Sequence, residues 1–153
     1  MEKTFDLEKG DFSYNEFVVC DSVLHDQWIS NFSIIGNILT IEFNAFKCFY
    51  TYDVETDLYN QYKDYKKCTV TYNVRYINET HTYDNYVDVQ SFAFSDIGSR
   101  YKGKRIHLTK ALDKLNSKPL CLIDTKIGWQ GIIVALDEYD IHLNVKEITY
   151  NWQ

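Results

Sequence analysis

Apolar and polar side chains alternate with a period of two through much of the chain. Cys68, Val70, Tyr72, Val74 and Tyr76 fall on one face of an extended segment, and Thr69, Thr71, Asn73 and Arg75 on the other. That is the pattern of a half-buried strand. Asn78-Glu79-Thr80 reads as a turn and His81 to Phe94 as a return strand, so the two segments are expected to form a long antiparallel hairpin. Upstream, Gln27 to Ile35 and Leu39 to Phe43 flank the turn dipeptide Gly36-Asn37 and predict a second hairpin. Phe46 to Tyr52 reads as a further strand and Asn15 to Cys20 as an edge strand.

Near the end, Leu120 to Ile123 follows Pro119, and Gly131 to Leu136 is a short buried run. After a turn at Glu138-Tyr139-Asp140, Ile141, Leu143 and Val145 alternate with His142, Asn144 and Lys146. The alternation slips by one at Glu147 before Ile148, Tyr150 and Trp152 resume it, which indicates a bulge.

Two stretches follow a helical period instead. Leu108, Ala111, Leu112 and Leu115 predict a short amphipathic helix over 108–116, with Thr109 as its cap and Asn116, Ser117 and Pro119 as its stop. Val54, Leu58, Tyr62 and Tyr65 share the spacing, but Asp, Asn and Tyr are poor helix formers, so a tyrosine-rich loop is the alternative. Links between strands are too short for crossover helices. The expected fold is therefore mainly β: one domain over 1–153, an antiparallel sandwich or barrel of about eight or nine strands.

Composition narrows the class. The chain has 153 residues, 45% hydrophobic and 25% charged, with one Pro and six Gly. It is too apolar to be disordered and too poor in Pro and Gly to be a linker. Neither a signal peptide nor a bilayer-length apolar run stands out, and the four Cys (Cys20, Cys48, Cys68, Cys121) form no Cys-x-x-Cys pair. A reduced, cytoplasmic protein without a membrane partner is the expectation.

The net charge of −6 disfavours nucleic acid and anionic lipid as partners. Residues 1–65 hold twelve acids and four lysines, whereas 66–153 hold ten acids and twelve bases. Arg100, Lys102, Lys104, Arg105, Lys110, Lys114 and Lys118 face Asp113 alone between 100 and 118. The segment reads either as a solvated face paired with the acidic half or as a site for an anion or acidic partner, carried by Arg100, Lys102, Lys104 and Arg105.

Catalytic signatures are thin. Gly98 to Arg105 resembles a phosphate-binding loop, but Arg105 stands where Ser or Thr must hold magnesium. None of His25, His81, His107 and His142 forms a zinc-type pair. His25-Asp26 is the one acid–base candidate, although neighbours on a strand point to opposite faces. Cys20 has acidic neighbours that oppose a thiolate. Gly128 and Gly131 around Trp129 read as a packed turn. Thirteen tyrosines, with Tyr59, Tyr62 and Tyr65 in the central cluster, suit a partner surface or bracing between sheets.

No catalytic residue, metal or cofactor is assigned. The leading expectation is a non-enzymatic binding module of inhibitor or immunity type that acts through a surface on another protein, with homo-oligomers left open. A barrel holding a small apolar ligand is the alternative, and an enzyme built on His25 and Asp26 the second.

Overall fold

A computed structural model describes residues 2–44, 49–53, 55, 58–63, 65–78, 84–91, 101–128 and 131–153, with backbone alone for 49–53, 58–63, 89–91 and 101–104. The chain runs β1 (Glu2–Asp6), α1 (Tyr14–Val23), β2 (Trp28–Ile35), β3 (Ile38–Asn44), β4 (Phe49–Asp53), β5 (Leu58–Lys63) and β6 (Lys67–Val74). It continues with β7 (Tyr86–Ser91), β8 (Tyr101–His107), α2 (Leu108–Leu115), β9 (Leu120–Ile127), β10 (Ile132–Leu136), β11 (Tyr139–Leu143) and β12 (Val145–Trp152).

Ten strands form one antiparallel sheet, ordered β1-β12-β6-β3-β2-β9-β10-β11-β7-β8, and β4 with β5 forms a separate hairpin. The expected mainly β, antiparallel architecture is present, with more strands than the alternation suggests. The sheet is not closed. Its two halves meet where Trp28 and Ile29 of β2 pair with Cys121 and Leu120 of β9.

The inner faces of both halves join one core. Leu39, Ile41, Phe43, Val70, Tyr72, Val74, Ile148, Tyr150 and Trp152 from one half cluster with Leu120, Leu122, Val134, Ile141 and Leu143 from the other. Each such side chain, fully buried, contributes roughly 1.5–3 kcal/mol relative to exposure. Phe5, Phe17 and Tyr150 pack edge to face, at centroid distances of 5.5–6.2 Å, and seat α1 on this core. The Leu108, Ala111 and Leu115 face of α2 is buried in the same cluster.

Several elements differ from expectation, each for a local reason. β6 and β7 are not a hairpin: β6 lies between β12 and β3, and β7 between β11 and β8. Past Val74 the chain leaves the strand direction at Tyr76, whose φ is +60°. The fully buried Asn85, just before β7, ties the start of that strand to the end of β6 and to the β11–β12 junction. Its Nδ2 donates to the Arg75 carbonyl and its Oδ1 accepts from Asn144 N–H, at 2.7 and 2.9 Å.

Residues 14–23 form a helix, not an edge strand. Ser13 Oγ accepts from Glu16 N–H, and Ser-x-x-Glu is a helix-start signature that outweighs the β-branched run behind it. Residues 58–63 form a strand where helical spacing or a loop was expected, in keeping with the β preference of Tyr. Residues 141–152 break at Asn144 into two strands in different halves, and the expected bulge near Glu147 is present in β12. α2 lies where the period places it, although His107 rather than Thr109 is its cap. Among the described residues no helix is long and apolar enough to cross a membrane.

Candidate binding surface

The strand alternation that buries Val87, Ile141 and Leu143 turns their neighbours outward on β9, β10, β11, β7 and β8. Register places two rows across this outer face. Lys126, Ile133, His142, Tyr86 and His107 form one, and Asp124, Ala135, Asp140, Asp88 and Arg105 the other.

Where β11, β7 and β8 adjoin, the side chains interlock. The His142 ring stacks on Tyr86 at 4.3 Å and 14°. The Arg105 guanidinium lies 4.5 Å from the Tyr86 centroid. Asp88 lies between the two side chains, with Oδ2 3.3 Å from His142 Nε2 and Oδ1 3.5 Å from Arg105 Nε. Partial burial lowers the His142 pKa below its ordinary value, opposed by Asp88 and Asp140. Burial likewise raises the Tyr86 hydroxyl, and Arg105 offsets it. His142 and Asp88 were visible in the sequence only as polar-face residues, because strand partners are not local information.

At the junction of the two halves the surface becomes apolar. Trp28 is 59% exposed, and Ile123, which falls at the bulge in β9, is 42% exposed. A large exposed aromatic beside an aliphatic residue, with a polar rim, has the anatomy of an interface anchor.

His25 and Asp26 form part of that rim. Their contact, Nε2 to Oδ2 at 3.2 Å, is exposed on both sides. His25 Nδ1 donates to the Ile123 carbonyl, and Asp26 N–H donates to the Leu122 carbonyl at 2.8 Å. Two residues further along β9, Thr125 N–H donates to Asp21 Oδ2 at 2.8 Å. So the end of α1 and its following turn take the place of a strand along this part of β9, satisfying backbone groups a sheet edge would otherwise leave open. The pair that the sequence offers as an acid–base site lies on an exposed turn and bonds a strand edge.

Asp21 is the buried member of this arrangement. Its Oδ1 accepts from Tyr150 O–H at 3.4 Å. Burial raises its pKa above the ordinary carboxylate value, against the hydrogen bonds from Thr125 and Tyr150. Burial also raises the Cys20 thiol strongly and pushes Cys68 up to about 12, so neither is a nucleophile at neutral pH.

The basic residues expected at a site divide. Arg105 is engaged with Asp88 and Tyr86, and Lys118 pairs with Glu138, so these two bases meet acids of the same half of the sequence rather than of residues 1–65. Arg100 lies outside the described residues, and Lys102 and Lys104 are described as backbone in β8, at one end of the strand order. Of the tyrosines expected on a surface, Tyr59 and Tyr62 lie in β5, described as backbone. Tyr65 is 7% exposed and belongs to the core, a correction to its surface assignment that follows from its packing beside β6.

A half-open cleft of about 480 Å³ lies at one end of the sheet, lined in part by Leu7, Phe12, Arg75, Ile127 and Val145. Gly128 N–H donates to the Gly131 carbonyl at its rim, while Trp129, about which the sequence suggests a packed turn, lies outside the described residues. His25 and Asp26 are not among its walls. Among the described residues, no group of three or more His, Cys, Asp or Glu is placed to hold a metal ion. No protein-family model, curated protein or solved structure matches the chain.

Proposed function

We propose that the chain is a non-enzymatic binding protein that acts through a surface on a protein partner, in the manner of an inhibitor or immunity-type module. The observation that carries this reading is Trp28, 59% exposed on β2, whose register partner Cys121 stands two residues before the exposed Ile123 on β9. Burying Trp28 alone would remove a large aromatic area from water, and tryptophan is among the residues that dominate interface energies. The rim from His25 and Asp26 supplies hydrogen-bonding groups around it, and the net charge of −6 favours a partner with a basic face.

A photo-crosslinking amino acid at position 28 tests the reading. In lysate of the cells that naturally make the chain, a single stoichiometric adduct is expected from position 28. The same label at Ile35, which is 80% exposed at the β2–β3 turn, should give none. Equal labelling from both positions, or no adduct from either, would overturn it.

A further inference from the structure

The mixed polar and apolar wall of the cleft includes a cation, Arg75. Arg75 follows β6, and its guanidinium reaches three acceptors. Nη1 donates to Asn144 Oδ1 and to the Val145 carbonyl, both at a long 3.3 Å. Nη2 lies 3.0 Å from Glu8 Oε1. Glu8 comes from the segment between β1 and α1 and is mostly exposed, whereas Arg75 is three-quarters buried. An ion pair with an exposed, rotatable carboxylate is weak and readily exchanged. The backbone that carries it is anchored: Asn85 Nδ2 donates to the Arg75 carbonyl, and Arg75 N–H donates to the Asn144 carbonyl at 2.7 Å. Arg75 thus brings a cation to the cleft wall from a fixed stretch of backbone, with the exposed Glu8 as its exchangeable partner.

Its walls complete the description of a ligand. Leu7, Phe12, Ile127 and Val145 supply apolar surface beside the polar groups of Arg75 and Asn144, and about 480 Å³ is within the range of small-molecule sites. Gly131, one of the lining residues, packs against the Leu143 backbone so closely that a Cβ there would come within 2.2 Å of the Leu143 carbonyl oxygen.

We infer that this cleft binds a small amphipathic monoanion, an apolar chain bearing one carboxylate, whose carboxylate replaces Glu8 on Arg75 while the chain packs against Phe12 and Ile127. Arginine suits this role because its planar donors accept a carboxylate two bonds at a time. The site is separate from the Trp28 surface and stands or falls without it.

Octanoate is the probe and octan-1-ol its neutral counterpart, titrated into the full chain and followed by amide NMR shifts. Octanoate is expected to saturate at one per chain, shifting the Gly10, Gly128 and Gly131 amides, and to bind more tightly than octanol. Arg75→Gln should weaken octanoate at least tenfold and leave octanol unchanged. Glu8→Gln should tighten octanoate roughly three- to fivefold, the size of one exposed ion pair. Absence of saturable shifts, or equal affinity for octanoate and octanol, would overturn the inference. So would an Arg75→Gln protein that keeps octanoate affinity. If Arg75→Gln does not fold, the exposed Glu8→Gln substitution decides, and unchanged octanoate affinity there counts against the site.

Discussion

Asp21 shows how one side chain can serve structure at a cost. Its carboxylate stands in for a strand carbonyl to Thr125 N–H, yet burial raises its pKa above the unfolded value. A raised carboxyl binds its proton more tightly when folded, so stability falls as pH climbs from about 3.9 through the folded pKa and stays lower above it. Asp21→Asn keeps the acceptor for Thr125 without the charge. It should be at least as stable as the parent at pH 7 and should lose that downward slope, which denaturant titrations between pH 4 and 7 would reveal. Asp21→Ala should instead lose about 1–3 kcal/mol, since Thr125 N–H is left buried without an acceptor. A variant Asn less stable than the parent at pH 7 would contradict this. The thiols give a second residue-scale expectation. With Cys20 and Cys68 buried and their pKa values raised, a thiol reagent at pH 8 should label both only after unfolding, as mass mapping of modified peptides would show.

At the scale of elements, Gly131 and Arg105 make different demands. A Cβ at 131 would sit 2.2 Å from a backbone oxygen that has no side-chain freedom to yield. Gly131→Ala should therefore destabilise by roughly 1–3 kcal/mol, as overpacking does, and lower the denaturation midpoint at unchanged m. Arg105→Glu would set a like charge against Asp88 across β7 and β8 and remove the cation from Tyr86. The loss should be clear at low salt and shrink at high salt, because the pair is partly exposed and screened. Loss that persists unchanged in 1 M salt would argue for packing instead.

Which elements were legible in the sequence follows from the range of the forces involved. β3 and β6 show in local alternation, β10 in a short apolar run, the turn between β2 and β3 in Gly36-Asn37, and α2 in its 3.6-residue period. α1 did not, because its apolar residues are not confined to one face, and only Ser13 and Glu16 mark its start. β1 is five residues with Phe5 as its buried side chain, too short for a pattern.

The whole molecule is held by pairings that local sequence does not encode. β12 pairs with both β1 and β6, although β1 begins at Glu2 and β12 ends at Trp152. Such contacts depend on complementary faces, and the buried Asn85 links the ends of three strands by hydrogen bonds to Arg75 and Asn144. The candidate surface has the same origin. Trp28, Ile123 and His25 are 98 residues apart at the extremes, and the β2–β9 junction with the hydrogen bonds from His25 and Asp26 to β9 brings them together. Sequence offered His25-Asp26 as a unit, but not Ile123 as its neighbour. Conversely, the basic segment was conspicuous in sequence, and two of its described members, Arg105 and Lys118, pair with the acids Asp88 and Glu138.

The central claim is that this surface binds a protein through Trp28. Native mass spectrometry of the gently purified chain, beside Trp28→Ala, tests it most directly. The expected spectrum shows a species heavier than 18.1 kDa by one whole polypeptide, absent for Trp28→Ala while that variant remains folded. A bare chain, or a complex that survives Trp28→Ala undiminished, would contradict it.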